Sequence, residues 1–355
     1  MQAVDERVKG AFAGRYELER ELGCGGAATV YLAEDLKHGR KVAVKVLRPE
    51  VAAALGAERF LQEIGIAAGL SHPHILPLHD SGEVQGLLYY VMPYVEGDSL
   101  RARIERERQL PLEDAVRIAC DVAEALDSAH RHGVIHRDVK PENILFQDGH
   151  AAVADFGVAR SATRSGGTWR TDPGIVVGTP EYMSPEACAG EGDLDARSDQ
   201  YALGCVCYEM LAGHPPFTAA TPQAVVARHA ADTVPPLTTV RPDVPTNVAR
   251  AVHKALAKAP ADRFSSLQTF ADALRAAAAD QEEAVARSVA VLPFANLGGI
   301  PEDEVLSDGL TDEIIGALTR LEGLRVASRT SVFTYKGKSQ DVRSIGAQLH
   351  VRSAL

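Results

Sequence analysis

His136-Arg137-Asp138-Val139-Lys140-Pro141-Glu142-Asn143 is the stretch on which the reading of this chain turns. Apolar residues bracket it, Val134-Ile135 before and Ile144-Leu145-Phe146 after, so it reads as a polar loop between two short strands. Such a loop can bring one carboxylate (Asp138), one ammonium (Lys140) and one amide (Asn143) to a common point. That set suits movement of a phosphoryl group. The carboxylate accepts a hydroxyl proton, the ammonium offsets charge on the moving group, and the amide oxygen holds a metal. A chance polar turn could explain a lone Asp-x-Lys; it does not explain eight residues in this order between apolar flanks.

Upstream, Arg15–Leu22 alternates toward a strand and delivers Gly23-Cys24-Gly25-Gly26-Ala27-Ala28-Thr29-Val30. A dinucleotide-binding glycine loop would be followed at once by a helix. Here Val30–Glu34 alternates as a second strand and Lys41–Leu47 as a third, so strand–loop–strand wins. Glycines in such a loop let backbone N–H groups approach phosphates without Cβ interference. Lys45 lies inside the apolar run Val42-Ala43-Val44 and needs a charged partner there. Ala57–Leu70 has helical spacing, with Phe60, Ile64, Ala67 and Ala68 on its apolar face. Two strands are predicted over Pro73–Asp80 and Leu87–Val95. Helical periodicity over Leu112–His132 stops at Gly133, and a small strand at Ala151–Ala154 leads into Asp155-Phe156-Gly157.

The chain has 355 residues, 46% of them hydrophobic, enough for a two-lobed domain and something more. A net charge of −11 argues against a nucleic-acid or anionic-membrane partner. The five cysteines are scattered without C-x-x-C spacing, which fits reduced thiols and not a disulfide framework or zinc site. His72, His74 and His79 surround Pro73 and Pro77 and read as loop residues. Met1–Gly14 is charged and has no apolar run, and Tyr201–Ala212 carries Glu209 and is too short to span a bilayer. No membrane span and a cytoplasmic location are therefore expected.

Together these motifs resemble the bacterial eukaryotic-like Ser/Thr protein kinases of the PknB-like group, over roughly Arg15 to Ala278. The resemblance implies an α+β, bilobal fold: a β-rich N-lobe (15–93) and an α-helical C-lobe (97–278), after a lead at 1–14. It implies a Ser/Thr protein kinase that uses ATP with Mg2+ or Mn2+. Asp138, Lys140, Lys45, Glu63 and Thr179 would be catalytic. Lys45 would contact the α- and β-phosphates and pair with a helix glutamate, Glu63 being the choice and Glu58 the alternative. Leu22, Gly23, Gly25, Gly26, Val30, Ala43, Met92, Pro93, Val95 and Leu145 would enclose the nucleotide, and Asn143 and Asp155 would hold the metal. His136, Arg137, Phe156, Gly157, Asp199 and the buried pair Glu186–Arg263 would be structural. Arg160–Val177 would be an activation segment, phosphorylated at Thr171 or Thr168 with Arg137 as the phosphate's partner, and Trp169 would report its state. Partners would be protein Ser/Thr acceptors and a second copy for phosphorylation in trans. Ala28 replaces the third lid glycine and Ser184 the alanine of the A-P-E triplet; neither change removes a phosphate, metal or proton-transfer group. An alternative reading is a nucleotide-binding, pseudokinase-like scaffold that docks through its C-terminal unit.

After a linker at 279–287 the pattern changes. Ser288–Phe294 reads as a strand, Ser307–Leu321 as a helix with Leu310, Ile314, Leu318 and Leu321 on one face, and Leu324–Ser328 as a strand. Ile345–Leu349 is helical and Val351 can begin a third strand. This small α/β unit (288–355) resembles part of the TolB-like amino-terminal domain and wants a further strand. Val289–Leu297 is then predicted to be an unpaired apolar edge.

Overall fold

A computed structural model describes residues 5–156, 179–190, 194–296, 301–321, 323–338, 340–349 and 351–355, with the side chains of 281–285, 301, 302 and 347 left aside. The chain divides into two units, Met1–Arg275 and Ala276–Leu355.

The first unit opens with helix α1 (Glu6–Phe12), whose first turn is capped by the Asp5 carboxylate accepting from Arg7 N–H at 2.8 Å. Strands β1 (Tyr16–Cys24), β2 (Ala28–Asp35) and β3 (Arg40–Leu47) form a meander. Helices α2 (Pro49–Leu55) and α3 (Ala57–Ala68) follow, then β4 (Asp80–Val84) and β5 (Leu87–Pro93). The five strands make one antiparallel sheet in the order β1-β2-β3-β5-β4. Alternation along β3 sorts its side chains: Val42, Val44 and Val46 join a core with Phe12 of α1, whereas Ala43 and Leu47 join Phe60 and Ile64 of α3. Lys45 therefore lies on the face toward α3. Across the β3–β5 register it stands opposite Tyr90, and Ala43 opposite Met92.

The helical part comprises α4 (Leu100–Glu107), α5 (Leu112–Arg131), the hairpin β6 (Ile144–Gln147) and β7 (His150–Val153), and α6 (Pro185–Cys188). It continues with α7 (Ala196–Ala212), α8 (Pro222–Ala231), α9 (Leu237–Val240), α10 (Thr246–Ala255) and α11 (Leu267–Ala286). Helix α7 is buried on every side from Ser198 to Ala212, which makes it the central post. Just before α4, Asp98 O accepts from Phe146 N–H of β6 at 3.1 Å. A Cβ on neighbouring Gly97 would collide with the Phe146 carbonyl.

Several expectations change. Pro73–Asp80 is not a strand: its prolines keep it out of the ladder, Ile75 makes a single bridge to Val153, and β4 begins at Asp80. Val134-Ile135 is likewise not a strand; Val134 N–H instead closes the end of α5 by donating to Ala129 O at 3.0 Å. The stretch read as a linker is helical, since α11 runs on to Ala286.

In the second unit β8 (Ser288–Ala290), α12 (Pro301–Thr319), β9 (Arg325–Val326), α13 (Arg329–Phe333), α14 (Val342–Gln348) and β10 (Ser353–Ala354) build a parallel three-stranded sheet, order β10-β8-β9. The strand expected to be an unpaired edge is thus the central one. The apolar face of α12 is also displaced from the predicted one. Leu310 and Leu321 are exposed, while Thr311 is buried and Ile315 packs against Val332 and Val351. Thr311 tolerates burial because its hydroxyl donates to Ser307 O (2.8 Å) and accepts from Phe294 N–H (3.3 Å).

Candidate active site

The loop His136–Asn143 takes its shape from one side chain of the central post. Asp199, near the start of α7, accepts the backbone N–H of His136 at 2.8 Å and of Arg137 at 2.7 Å, and it bonds the His130 ring at 2.7 Å. Burial would push the Asp199 carboxyl up. Its hydrogen bond and charge contact with His130, and the nearby His136, outweigh that and hold it below the ordinary carboxylate range. Arg137 has φ of 66°, a left-handed conformation that costs energy for a residue with a Cβ and persists because these bonds enforce it. His136 is buried; its Nδ1 accepts from Asp138 N–H (3.2 Å), so its Nε2–H donates to Ala154 O (2.9 Å). Its ring also packs on Phe156, with centroids 4.7 Å apart.

Asp138, Lys140 and Asn143 do converge. Lys140 Nζ lies 2.8 Å from Asp138 Oδ2 and 3.4 Å from Thr179 Oγ1. The Asn143 amide nitrogen donates to Asp138 O (2.8 Å) and Oδ2 (3.2 Å), which leaves the amide oxygen as its outward acceptor. A cleft lined by Arg137, Asp138, Thr179, Met183 and Ser184 opens beside them.

Across from this loop, Leu22, Val30, Val95 and Leu145 pack around buried Ala43 and Met92, the apolar walls expected of a nucleotide pocket. The lid turn is closed by Gly25 N–H donating to Ala28 O at 2.9 Å. Pro93 ends β5 beside them. Asp155 follows β7 with φ of 66° and points at Lys45, Oδ2 to Nζ 2.7 Å. Its other oxygen accepts from the Tyr90 hydroxyl, also at 2.7 Å. Burial would raise the Asp155 carboxyl, but the charge and hydrogen bond of Lys45, then the Tyr90 bond, bring it below its ordinary value. Burial, with Asp155 alongside, drives the Tyr90 phenol well above its own, so it stays a donor.

The predicted Lys45–Glu63 pair is not formed. Lys45 is taken by Asp155, and Glu63 Oε1 receives Arg59 Nε at 3.0 Å, one helical turn away on α3. Glu63 Oε2 is buried with no hydrogen-bond partner among the described residues. Glu58, the alternative, lies in the first turn of α3 and is exposed. Gly157, Thr168, Trp169 and Thr171 lie outside the described residues.

Glu186 and Arg263 pair as expected: two parallel bonds of 2.7 Å, both side chains buried. Burial would raise the Glu186 carboxyl; Arg263 brings it down. Sequence reasoning missed a second network. Arg101 of α4 reaches Glu142 of the loop (2.8 Å), Glu209 of α7 (2.8 Å) and the Tyr182 hydroxyl, and Tyr182 itself bonds Glu209 at 2.5 Å. The available signal was Glu209, a carboxylate inside an apolar helix that demands a cation.

The protein kinase domain matches residues 16–274. The chain belongs to the protein kinase family. Relatives of this kinase include the serine/threonine-protein kinase PknB of Mycobacterium leprae, 36% identical over 351 residues, which are 93% of this chain and 56% of that protein. The PknB of Mycolicibacterium smegmatis is 42% identical over 268 residues (74% of this chain, 43% of that one). A probable serine/threonine-protein kinase of Streptomyces coelicolor is 37% identical over 297 residues (82% and 44%). The chain spans about half the length of these curated relatives. Kinases of this family use ATP and a divalent cation. The donor set here fits that use. Asp155 and Asn143 offer the hard oxygens that such a cation takes. No helix among the described residues is long and apolar enough to cross a membrane.

Proposed function

We propose that this kinase transfers the γ-phosphoryl group of ATP to Ser or Thr hydroxyls of proteins, its own activation segment included. The observation that carries the reading is the convergence of Asp138, Lys140 and Asn143 on a loop held by Asp199, with Asp155 and Lys45 at the nucleotide pocket. ATP bound with Mg2+ (or Mn2+) supplies the phosphoryl group and the cation's charge. Asp138 orients the acceptor hydroxyl and takes its proton. Lys140 offsets charge on the transferred group, and its reach to Thr179 ties it to the cleft that receives a Ser or Thr. Lys45 takes charge at the α- and β-phosphates, and Asn143 and Asp155 hold the metal. Positioning and charge stabilisation supply most of the rate.

Several finer readings go with this. Thr171 and Thr168 are the acceptors in the activation segment, modified by a second copy in trans, and Arg137 receives the phosphate. The chain works in the cytoplasm, where ATP is abundant and its five free thiols stay reduced. Residues 288–355 form a TolB-like unit, a reading supported by the parallel strands β8 and β9 joined through α12.

Phosphosite mapping after incubation with Mg-ATP tests the reading. Phosphate on Thr171 or Thr168 is expected in the wild type, and Asp138→Asn is expected to transfer it about 10²–10⁴-fold more slowly. Equal transfer by both chains overturns it.

A further inference from the structure

Tyr90 has no assigned part in the reaction, yet it sits at its centre. It stands opposite Lys45 in the β3–β5 register, is 3% exposed, and packs in one cluster with Phe60 and Ile64 of α3. Its hydroxyl donates to Asp155 Oδ1, while Lys45 holds Oδ2 and lies 5.7 Å above the Tyr90 ring. Both oxygens of the metal-binding carboxylate are thus engaged by protein donors. On the same side, Glu63 keeps one buried oxygen that accepts nothing among the described residues. Two donors therefore share one carboxylate, while the one on α3 has acceptor capacity to spare among the described residues. A buried acceptor without a donor is costly, so an exchange that brings a donor to Glu63 relieves that cost as it releases Asp155.

We propose that Tyr90 is a positioning residue that latches Asp155 in its turn toward Lys45, and that a divalent cation bound with nucleotide must displace the hydroxyl. Magnesium demands near-ideal octahedral geometry from its ligands. A carboxylate turned toward Lys45 and Tyr90 must reorient to meet that demand. When Asp155 turns, Lys45 is freed for the phosphates and Glu63. The latch sets how much cation is needed to load the site, not how fast a loaded site reacts. It rests on the kinase reading for the identity of Asp155 as metal ligand.

The test is Tyr90→Phe in the full chain, which removes one oxygen and keeps the ring. The readout is Mn2+ binding by electron paramagnetic resonance in the presence of a non-hydrolysable ATP analogue, alongside analogue binding in EDTA. About tenfold tighter Mn2+ binding is expected, the factor carried by one hydrogen bond to a charged group, with metal-free analogue binding unchanged. Unchanged or weaker Mn2+ binding overturns the latch, because a wall or a support for the pocket would give that result. If Tyr90→Phe fails to fold, the wild type decides. With tyrosines labelled at Cζ, one signal is expected to move when Mg2+ is added to the analogue-loaded chain, and a spectrum that does not respond overturns the proposal. The two readings fail separately. A wild type that transfers no phosphate while Tyr90→Phe binds Mn2+ more tightly sinks the kinase reading alone. A wild type that transfers phosphate while the two chains bind Mn2+ alike sinks the latch alone.

Discussion

The two halves of the candidate site are built to different rules. On the Asp138 side the loop is held from two directions: Asp199 accepts two of its N–H groups at 2.7–2.8 Å, and the loop's own side chains bond one another. On the Lys45 side the ammonium takes Asp155, while Glu63 receives Arg59 on one oxygen and nothing on the other among the described residues. Phosphoryl transfer explains the division. The proton acceptor must already be in place when the hydroxyl arrives. The nucleotide side must admit a charged ligand and rearrange around it.

The largest expected effect comes from breaking the rigid half. Asp199→Ala leaves two loop N–H groups and a histidine without their buried acceptor. It is expected to cost roughly 3–5 kcal/mol in denaturant unfolding and to abolish phosphate transfer. A variant that melts like the wild type and stays active would show that the loop holds its own shape.

A smaller effect is expected deeper on the same side, at His229. Its Nδ1 accepts from the Tyr201 hydroxyl of α7 (2.9 Å), and its Nε2–H donates to Glu181 O (3.1 Å). Burial, helped by Lys258, lowers it from 6.5 to about 4. The folded chain therefore keeps it neutral while the unfolded chain takes up a proton between those values. Its contribution is complete above pH 6.5 and is lost as pH falls toward 4, a swing of about 2–3 kcal/mol. His229→Gln is expected to flatten that part of the stability–pH curve. An unchanged slope would assign the pH dependence to other groups.

The smallest stability effect belongs to the adjustable half. Glu63→Gln is expected to shift unfolding by no more than about 0.5 kcal/mol, since one oxygen has no partner among the described residues. It should nonetheless slow transfer roughly tenfold or more if Lys45 moves to Glu63 during loading. A large loss of stability with full activity would reverse the comparison.

What could be read from the sequence follows the same division. Asp138, Lys140, Asn143, Asp199 and the Glu186–Arg263 pair were legible because rigid parts need particular residue types at particular places. Val30, Ala43, Met92 and Leu145 were named only through the family resemblance, and the structure packs them in one apolar cluster. The partner of Lys45 was not. Lys45 takes Asp155 while Glu63 receives Arg59, an outcome that depends on how α3 sits and on a tyrosine hydroxyl that no periodicity reveals. On α12, Leu310 and Ile315 offer competing apolar faces, and a buried threonine with two hydrogen bonds decided between them. Thr168 and Thr171, the proposed phosphorylation sites, fall outside the described residues.

Gly97 has a consequence for how this chain can vary. Because the Phe146 carbonyl occupies the space a Cβ would need, every codon change that alters the amino acid there pushes the backbone leading into α4 off β6. A saturation library selected for activity should therefore return a single letter at position 97, next to positions 96 and 98 that accept many.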